Sequence, residues 1–327
     1  MATLVLDRSN LELRVDGTAL AFHEPDGRRG SVPMKLLERV VLQGQITLDS
    51  GVLTKLAELG VATLLLSRRQ SRRVAVVLGP AHNDAAVRLA QSQLVFDERW
   101  QIYWSRRLVM KKTRAQLRLL ERALAERPDV RKPLFDAQQI LWAAVANLAR
   151  PDLTVESIRG IEGAAARAYF HGLAALFPSA LGFTGRNRRP PRDPVNACLS
   201  LGYTLLHFDA VHAAHIAGLD PLLGFYHRPA FGRESLASDL IEPLRPQVDA
   251  WVWTLFRERI LREHHFVRDK GACLLDKEGR SIFYGAYDDA ARPLRRVLRR
   301  QCRLLARVLR KRGEPLLEQG GDDMEDA

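Results

Sequence analysis

The stretch RRVAVVLGP at residues 72–80 marks the place where the character of this sequence changes. Its run of apolar, mostly β-branched residues is typical of a strand, and Gly79-Pro80 ends it. Before it lie short apolar runs separated by turn signals, whereas beyond Asn83 apolar residues recur at spacings of three and four. This change predicts an α+β protein in which a small β domain is followed by a larger, all-helical domain.

The first 82 residues are predicted to form the β domain, which carries one helix. Asp16-Gly17 and Asp26-Gly27 suit tight turns between strands. The helix is expected at about 49–59, with Gly60 as its left-handed stop. The predicted strands are TLVLD (3–7), LELRV (11–15), ALAFH (19–23), RVVLQ (39–43), ATLLLS (62–67) and the 72–80 stretch.

Residues 83–319 are predicted to form the α-helical domain. The exception is ACLLDKEGRSIFY at 272–284, whose two apolar runs around Lys277-Glu278-Gly279 predict one short β-hairpin. The acidic tail GGDDMEDA at 320–327 is poor in apolar residues and is expected to be disordered. The expected helices lie at 84–127, 131–149, 154–177, 193–217, 235–264 and 290–312.

The composition points to a basic protein without a membrane segment. Among the 327 residues, 50 are lysine or arginine and 38 are aspartate or glutamate, which gives a net charge of +12. A surplus of this size indicates a polyanionic partner, with a merely basic surface as the alternative. The sequence has no signal-peptide pattern and no apolar run of about eighteen residues, so we expect a soluble, cytoplasmic protein. The three cysteines share no metal-type spacing and are expected to be buried, reduced thiols.

Three stretches contain candidate metal ligands and phosphate-binding residues. GIEGAAARAYF (160–170) places Glu162 between two glycines, where small neighbours allow a metal or a phosphate to approach. GFYHRPAFGRESLASDLIEPLRP (224–246) contains His227 and a predicted helix bearing Asp239 and Glu242 on one face. Carboxylates with one imidazole suit Mg²⁺ or Mn²⁺. Taken singly, these residues also fit a solvent-facing glutamate, a packing histidine and a solvated acidic edge.

Arginines are concentrated in the third stretch and in the last predicted helix. The third stretch, NRRPPRDPVNACLSLGYTLL (187–206), begins in an arginine-rich loop at 182–196 that prolines stiffen. Such a loop suits phosphate binding, although a loop salt-bridged to Asp193 and nearby acids is the alternative. The last helix has an apolar stripe opposite a basic strip at 292–312 that could follow a DNA backbone, although a solvated charged face is the alternative. The candidate DNA-contacting residues are Arg186, Arg188, Arg189, Arg192, Arg245, Arg295, Arg299 and Arg303.

With these motifs, the chain resembles the CRISPR spacer-acquisition integrase family, the metal-dependent endonuclease subunit of the adaptation complex in prokaryotic immunity. The resemblance spans nearly the whole chain. It implies that Glu162, His227 and Glu242 ligate Mg²⁺ or Mn²⁺ and that Asp239 is an additional active-site acid. It also implies an enzyme that cleaves double-stranded and branched DNA and joins 3′-hydroxyl ends of captured DNA to a CRISPR repeat by transesterification.

The resemblance implies partners as well. Such proteins are homodimers, two of which flank a dimer of a small, ferredoxin-like CRISPR-associated subunit. Two other functions remain open from the sequence: a structure-specific DNA repair nuclease that does not integrate, and a non-catalytic DNA-binding scaffold that uses the same basic surfaces.

Overall fold

The computed structural model describes residues 2–8, 10–27, 29–67, 73–80, 82–187 and 190–318. The chain divides into two compact units. The first consists of Met1–His82 with Lys277–Ala291, and the second of Asn83–Asp276 with Arg292–Ala327. The sequence assigned Lys277–Ala291 to the helical domain, and here the structure departs from the 1–82 and 83–319 division. The acidic tail at 320–327 lies outside the described residues.

The first unit contains two four-stranded sheets and one helix. One sheet has the order β1-β5-β7-β8, in which β1, β5 and β7 run parallel and β8 is antiparallel. The other has the order β4-β3-β2-β6. The elements are β1 Ala2–Leu6, β2 Leu11–Asp16, β3 Ala19–His23, β4 Arg29–Pro33, β5 Leu37–Gln43, β6 Ile46–Leu48, α1 Ser50–Glu58, β7 Ala62–Leu66 and β8 Arg73–Val77.

The sequence prediction located most of these elements and missed the two with the weakest patterns. Strand β4 is RGSVP, which contains glycine and proline, and β6 is only three residues long. The helix α1 was predicted correctly: Asp49 caps its N-terminus, and Gly60 follows it with a φ of +68°. A buried apolar core that includes Leu13, Leu20 and Met34 holds the unit together.

The second unit is helical. Aspartate or threonine side chains cap several of its helices, as Asp97 does for α3 and Asp193 does for α6. None of the helices in the described ranges is both long enough and apolar enough to span a membrane. Cys198, Cys273 and Cys302 are buried, free thiols, as expected. Its helices are α2 Ala85–Leu94, α3 Glu98–Glu126, α4 Arg131–Leu148, α5 Val155–Ala174, α6 Pro194–Ile216, α7 Ser235–Ile241 and α8 Arg245–Arg257, together with the part of α9 Lys277–Glu318 that begins at Arg292.

The predicted hairpin at 272–284 is wrong in its position. The two antiparallel strands are β9 Phe266–Asp269 and β10 Ala272–Leu275, and the turn between them has positive φ at Lys270 and Gly271. The segment from Lys277 onward is the start of α9. Within the first unit, Tyr284 of this helix donates to Gln43 Oε1 at 2.6 Å and Arg280 pairs with Asp7 at 2.6 Å. These contacts explain why the segment is helical, because the helix buries its aromatic side against the β-rich unit.

Candidate active site

Helices α3, α5 and α7 and the loop before α7 bring the candidate residues together in the second unit. Glu162 lies in the second turn of α5, whose N-terminus is capped by Thr154. Its side chain is partly exposed, and its carboxylate forms an ion pair with Lys112 of α3. Gly160 and Gly163 are exposed, and neither has another group where a Cβ would lie. The surface of α5 beside Glu162 is therefore open.

The loop before α7 positions His227. Gly224 lets this loop lie directly on the start of the helix, since a Cβ there would come within 2.6 Å of the backbone of Ser235. Ser235, the first residue of α7, donates through its hydroxyl to the carbonyl of Arg228 at 3.0 Å. Arg159 of α5 donates to the carbonyl of Tyr226 at 2.8 Å. The loop is thus held against both helices that carry the candidate acids.

Asp239 is fully buried in α7 and accepts four hydrogen bonds from this loop. Its Oδ2 accepts from the backbone N–H groups of Phe225 at 2.8 Å and Tyr226 at 2.9 Å. Its Oδ1 lies 2.9 Å from the backbone nitrogen and 2.7 Å from the ring Nδ1 of His227. Because a carboxylate only accepts, Nδ1 carries the proton in this contact, and in the neutral imidazole Nε2 keeps its lone pair. Asp239 therefore fixes the orientation of the imidazole.

Glu242 is buried at the break between α7 and α8. Pro243 follows it, and the chain passes through a 3₁₀ turn at Glu242–Leu244 before α8 begins, because proline cannot continue the hydrogen bonding of α7. Its Oε2 forms an ion pair with Lys112 Nζ at 2.6 Å, and its Oε1 lies 3.2 Å from a guanidinium nitrogen of Arg245. Burial disfavours the ionised carboxylate, but Arg245 and Lys112 outweigh this effect and lower the pKa of Glu242 to about 2.

Lys112 is a site residue that the sequence did not reveal. It lies in a basic segment of α3, yet it is buried and contacts both Glu162 and Glu242. Burial disfavours its ammonium form, but the two glutamates outweigh burial and raise the pKa of Lys112. A signal was present, because Lys112 falls on the same helical face as the buried Leu108, Ala115 and Leu119.

His227 lies near the two glutamates. When protonated, its ring is close enough to Glu242 to help lower the pKa of that carboxyl. Its neighbour Tyr226 has a raised pKa because the phenol is buried and because Glu162 and Glu242 are close to it. In the described part of the chain, no three His, Cys, Asp or Glu side chains form a ready-made metal cage. The structure therefore brings the predicted ligands into one neighbourhood, with Lys112 between two of them.

The donor set nevertheless fits a hard divalent cation. Two carboxylates already converge on one positive charge, and the Nε2 of a neutral imidazole is available from His227. Glu242 Oε2 is buried and, among the described residues, makes an ion pair but no aligned hydrogen bond. Such an atom is suited to a metal ligand, because metal coordination would satisfy it.

A buried polar network supports Arg245. Its guanidinium lies over the ring of Tyr203, 4.9 Å from the centroid, and the hydroxyl of Tyr203 donates to the buried Asp249. Tyr169 of α5 donates to the other oxygen of Asp249 at 2.6 Å. Burial raises the pKa of Asp249 to about 6, although both tyrosines favour its charged form. The network connects α5, α6 and α8 behind Arg245 and limits the freedom of that side chain.

The arginine-rich loop is only partly available to a ligand. Arg186 turns inward, where it donates to Asn196 Oδ1 at 2.7 Å and to Ser200 Oγ at 3.0 Å and lies over the ring of Tyr203. It holds the loop on α6, which is not the phosphate-binding role predicted for it. Arg192 is exposed. Arg188 and Arg189 lie outside the described residues.

The last helix has an exposed basic face, but not all of the predicted residues lie on it. Arg295 is 3% exposed and forms an ion pair with Asp209 at 3.4 Å, so its assignment as a DNA-contacting residue was wrong. Arg299 is partly exposed and Arg303 is exposed. The exposed arginines of one face, spaced by four, three and four residues, are Arg296, Arg300, Arg303 and Arg307.

Comparison with known proteins identifies the family. The model of the family "CRISPR associated protein Cas1" matches residues 4–289. A CRISPR-associated endonuclease Cas1 from Thermodesulfovibrio yellowstonii is 36% identical over 315 residues, covering 94% of this chain and 96% of that protein.

Solved structures share the fold. A casposase bound to an integration product has a TM-score of 0.82 at 21% identity and covers 95% of this chain and 91% of that one. A chain of a Cas6-RT-Cas1–Cas2 complex has a TM-score of 0.80 at 24% identity and covers 95% of this chain and 35% of that one. The family match and the high-identity relative, found over the same residues that build the site, show that this chain belongs to the Cas1 family.

Proposed function

We propose that the chain is a metal-dependent DNA endonuclease of CRISPR adaptation that also joins the 3′-hydroxyl ends of captured DNA to the CRISPR repeat by transesterification. This proposal rests on the observation that Glu162 and Glu242 converge on one positive charge, the ammonium group of Lys112. They lie beside His227, whose Nε2 is available to bind a metal. The endonuclease name of the Thermodesulfovibrio relative supports cleavage, and the casposase with its integration product supports strand transfer.

Glu162, His227 and Glu242 would hold Mg²⁺ or Mn²⁺. When bound, a divalent ion of this kind polarises a phosphate and stabilises negative charge on the attacking and leaving oxygens. The role of Asp239 in this arrangement is to keep His227 in the tautomer that directs a lone pair outward, through the 2.7 Å contact with Nδ1.

The remaining residues of the site would bind and position the phosphodiester. In strand transfer, the 3′-oxygen of the captured DNA forms a bond to a phosphorus of the repeat while the bond from that phosphorus to its former 3′-oxygen breaks. Water in place of the 3′-hydroxyl gives hydrolysis. The open surface at Gly160 and Gly163 gives a sugar-phosphate backbone room to approach Glu162. Arg245, partly exposed and supported from behind, is suited to hold a phosphate oxygen there.

Double-stranded and branched DNA are the proposed substrates, bound mainly through phosphates. The exposed arginine face of α9 and Arg192 provide positive charge, which supports sequence-independent binding. A preference for particular DNA sequences would then come from the shape of the DNA or from a partner protein.

We also propose that the protein acts as a homodimer together with a small, ferredoxin-like CRISPR-associated subunit. In the first unit, Leu36 and Val74 are 58% and 64% exposed. Val74 lies on β8, the edge strand of its sheet. Exposed apolar residues, and an edge strand that carries one of them, favour association with another chain. The Cas1–Cas2 complex among the related structures supports the second subunit.

The test is cleavage and strand transfer of labelled DNA with Mg²⁺ or Mn²⁺. We expect Glu162→Ala and His227→Ala to lose both activities while they retain DNA binding. The matched control is Glu156→Ala, which removes an exposed glutamate from the first turn of the same helix and should remain active. Activity that survives both site substitutions would exclude this site. Binding without activity in the wild type would indicate a DNA-binding scaffold, and cleavage without strand transfer would indicate a nuclease that does not integrate.

A further inference from the structure

Lys112 is a buried lysine on the apolar side of a long helix. Leu108, Ala115 and Leu119 share its face of α3 and are all buried. An ammonium group in such surroundings is strongly destabilised unless nearby negative charges compensate for the lost hydration. The position of Lys112 therefore requires a reason beyond packing.

Glu162 and Glu242 supply this compensation. Nζ of Lys112 forms an ion pair with an oxygen of each, at 2.6 Å in the case of Glu242. Arg245 pairs with the other oxygen of Glu242 at 3.2 Å. The cluster thus contains two negative and two positive groups, so that its formal charges cancel. No further cation is needed to balance these charges.

Lys112 already forms ion pairs with two of the three proposed metal ligands, Glu162 and Glu242. A Mg²⁺ ion coordinated by oxygens of both glutamates would lie about 2.0–2.1 Å from each of these oxygens. The ammonium nitrogen already occupies the space between these oxygens. Two cations cannot share this space, because both the overlap and the charge repulsion oppose it. Lysine has a flexible four-carbon stem, which allows its ammonium group to leave.

We infer that Lys112 is an internal counter-ion of the active site, and that a divalent metal binds by displacing its ammonium group from between Glu162 and Glu242. This inference rests on the proposed function, which assigns these glutamates to the metal. Lys112 acts here as a positioning residue. It keeps the two carboxylates together and neutralised in the metal-free protein, and it lowers the affinity for metal by the free energy needed to break its two ion pairs.

The experiment compares Mn²⁺ binding and thermal unfolding in the wild type and in Lys112→Met and Lys112→Gln. The glutamine variant retains hydrogen-bonding capacity without the charge and serves where the methionine variant folds poorly. In EDTA both variants should unfold at a lower temperature than the wild type, since two acids lose their counter-ion. With saturating Mn²⁺ this difference should largely disappear. Isothermal titration should show a Kd for Mn²⁺ at least tenfold lower in both variants.

The matched control is Lys111→Met, which removes an exposed positive charge from the adjacent position of α3 without touching the glutamates. Its Kd for Mn²⁺ should remain within about twofold of the wild type, because exposed charges are screened. A variant of Lys112 that binds Mn²⁺ no more tightly than the wild type, and whose lower unfolding temperature persists with Mn²⁺, would overturn the displacement.

The variant His227→Ala distinguishes failure of the proposed metal site from failure of the proposed displacement of Lys112. If the wild type binds no Mn²⁺, or if His227→Ala binds it as well as the wild type, the proposed metal site itself fails. If the wild type binds Mn²⁺ and His227→Ala does not, the site is supported. The Lys112 variants then decide the displacement alone, and neither result depends on nuclease activity.

Discussion

At the scale of single residues, Asp239 uses its whole hydrogen-bonding capacity inside the protein. Both of its oxygens accept from the 225–227 loop, and the side chain has no exposed surface. A carboxylate in this state is a poor candidate for a direct metal ligand, because coordination would break several of these hydrogen bonds. Its contribution is to hold the loop and to orient His227.

Asp239→Asn should therefore damage both stability and metal binding. An amide presents one accepting oxygen, so backbone N–H groups that now meet the second oxygen would face an NH₂ donor. We expect a loss of about 3 kcal/mol in the free energy of unfolding and a Kd for Mn²⁺ about 10–100-fold higher. Urea unfolding and titration calorimetry measure the two effects. Asp152→Asn, at an exposed aspartate, is the control and should change neither. Wild-type stability in Asp239→Asn would contradict this role.

The sequence identified Glu162, His227, Asp239 and Glu242 as candidates because their chemical types and local motifs stand out without knowledge of the fold. It could not show that Lys112 and Arg295 point inward. In a helix rich in lysine or arginine, a basic residue on the apolar face differs from the other basic residues only in its position within the helical repeat. The ion pairs that stabilise both residues come from Glu162, Glu242 and Asp209, which are 50 to 130 residues away by position. Sequence spacing carries no information about such partners.

At the scale of elements, the helices of the second unit followed the apolar periodicity, and the errors arose where local patterns were ambiguous. The segment at 282–284 is apolar and aromatic enough to resemble a strand, yet Phe283 and Tyr287 are buried four residues apart, as a helix requires. Tertiary packing decides between these two states. The break at Pro243 was predictable, because proline cannot continue the helical hydrogen bonding.

Helix α5 has reduced intrinsic stability at the site itself. Gly160 and Gly163 flank Glu162, and neither is needed for a close contact or a positive φ, since the space beside each is open. Alanine favours the helix over glycine by about 0.5–1 kcal/mol. These glycines therefore keep the surface beside Glu162 free of side chains, at a cost in helix stability.

Gly163→Ala should raise the free energy of unfolding by about 0.5–1 kcal/mol, as measured by urea denaturation. Gly285→Ala in α9 is the matched control, because this glycine is also exposed, helical and surrounded by open space, but lies in the other unit. Both variants should be stabilised, and only Gly163→Ala should weaken DNA binding. A destabilised Gly163→Ala would show that the glycine has a conformational or packing role after all.

At the scale of the whole molecule, the net charge of +12 is divided between internal and external groups. Lys112, Arg186 and Arg295 are used inside the second unit to neutralise acids or to anchor loops. The exposed arginines on one face of α9 have the spacing of a continuous stripe. Composition alone predicted a polyanionic partner. The structure shows which of the basic residues are exposed and can contact such a partner.

The triple variant Arg296→Ala, Arg300→Ala and Arg303→Ala should weaken DNA binding in a salt-dependent way. If each arginine neutralises one phosphate, the slope of log K against log salt should fall by about 2–3, since each phosphate contact contributes about 0.9. Fluorescence anisotropy with a labelled duplex at several salt concentrations measures this slope. The control, Arg118→Ala with Arg122→Ala and Arg131→Ala, removes the same charge from other exposed positions. Equal slopes in the two variants would mean that the net charge of the protein, and not the α9 face, governs DNA binding. Long-range attraction depends on the number of charges, whereas direct contact between α9 and DNA phosphates depends on their position.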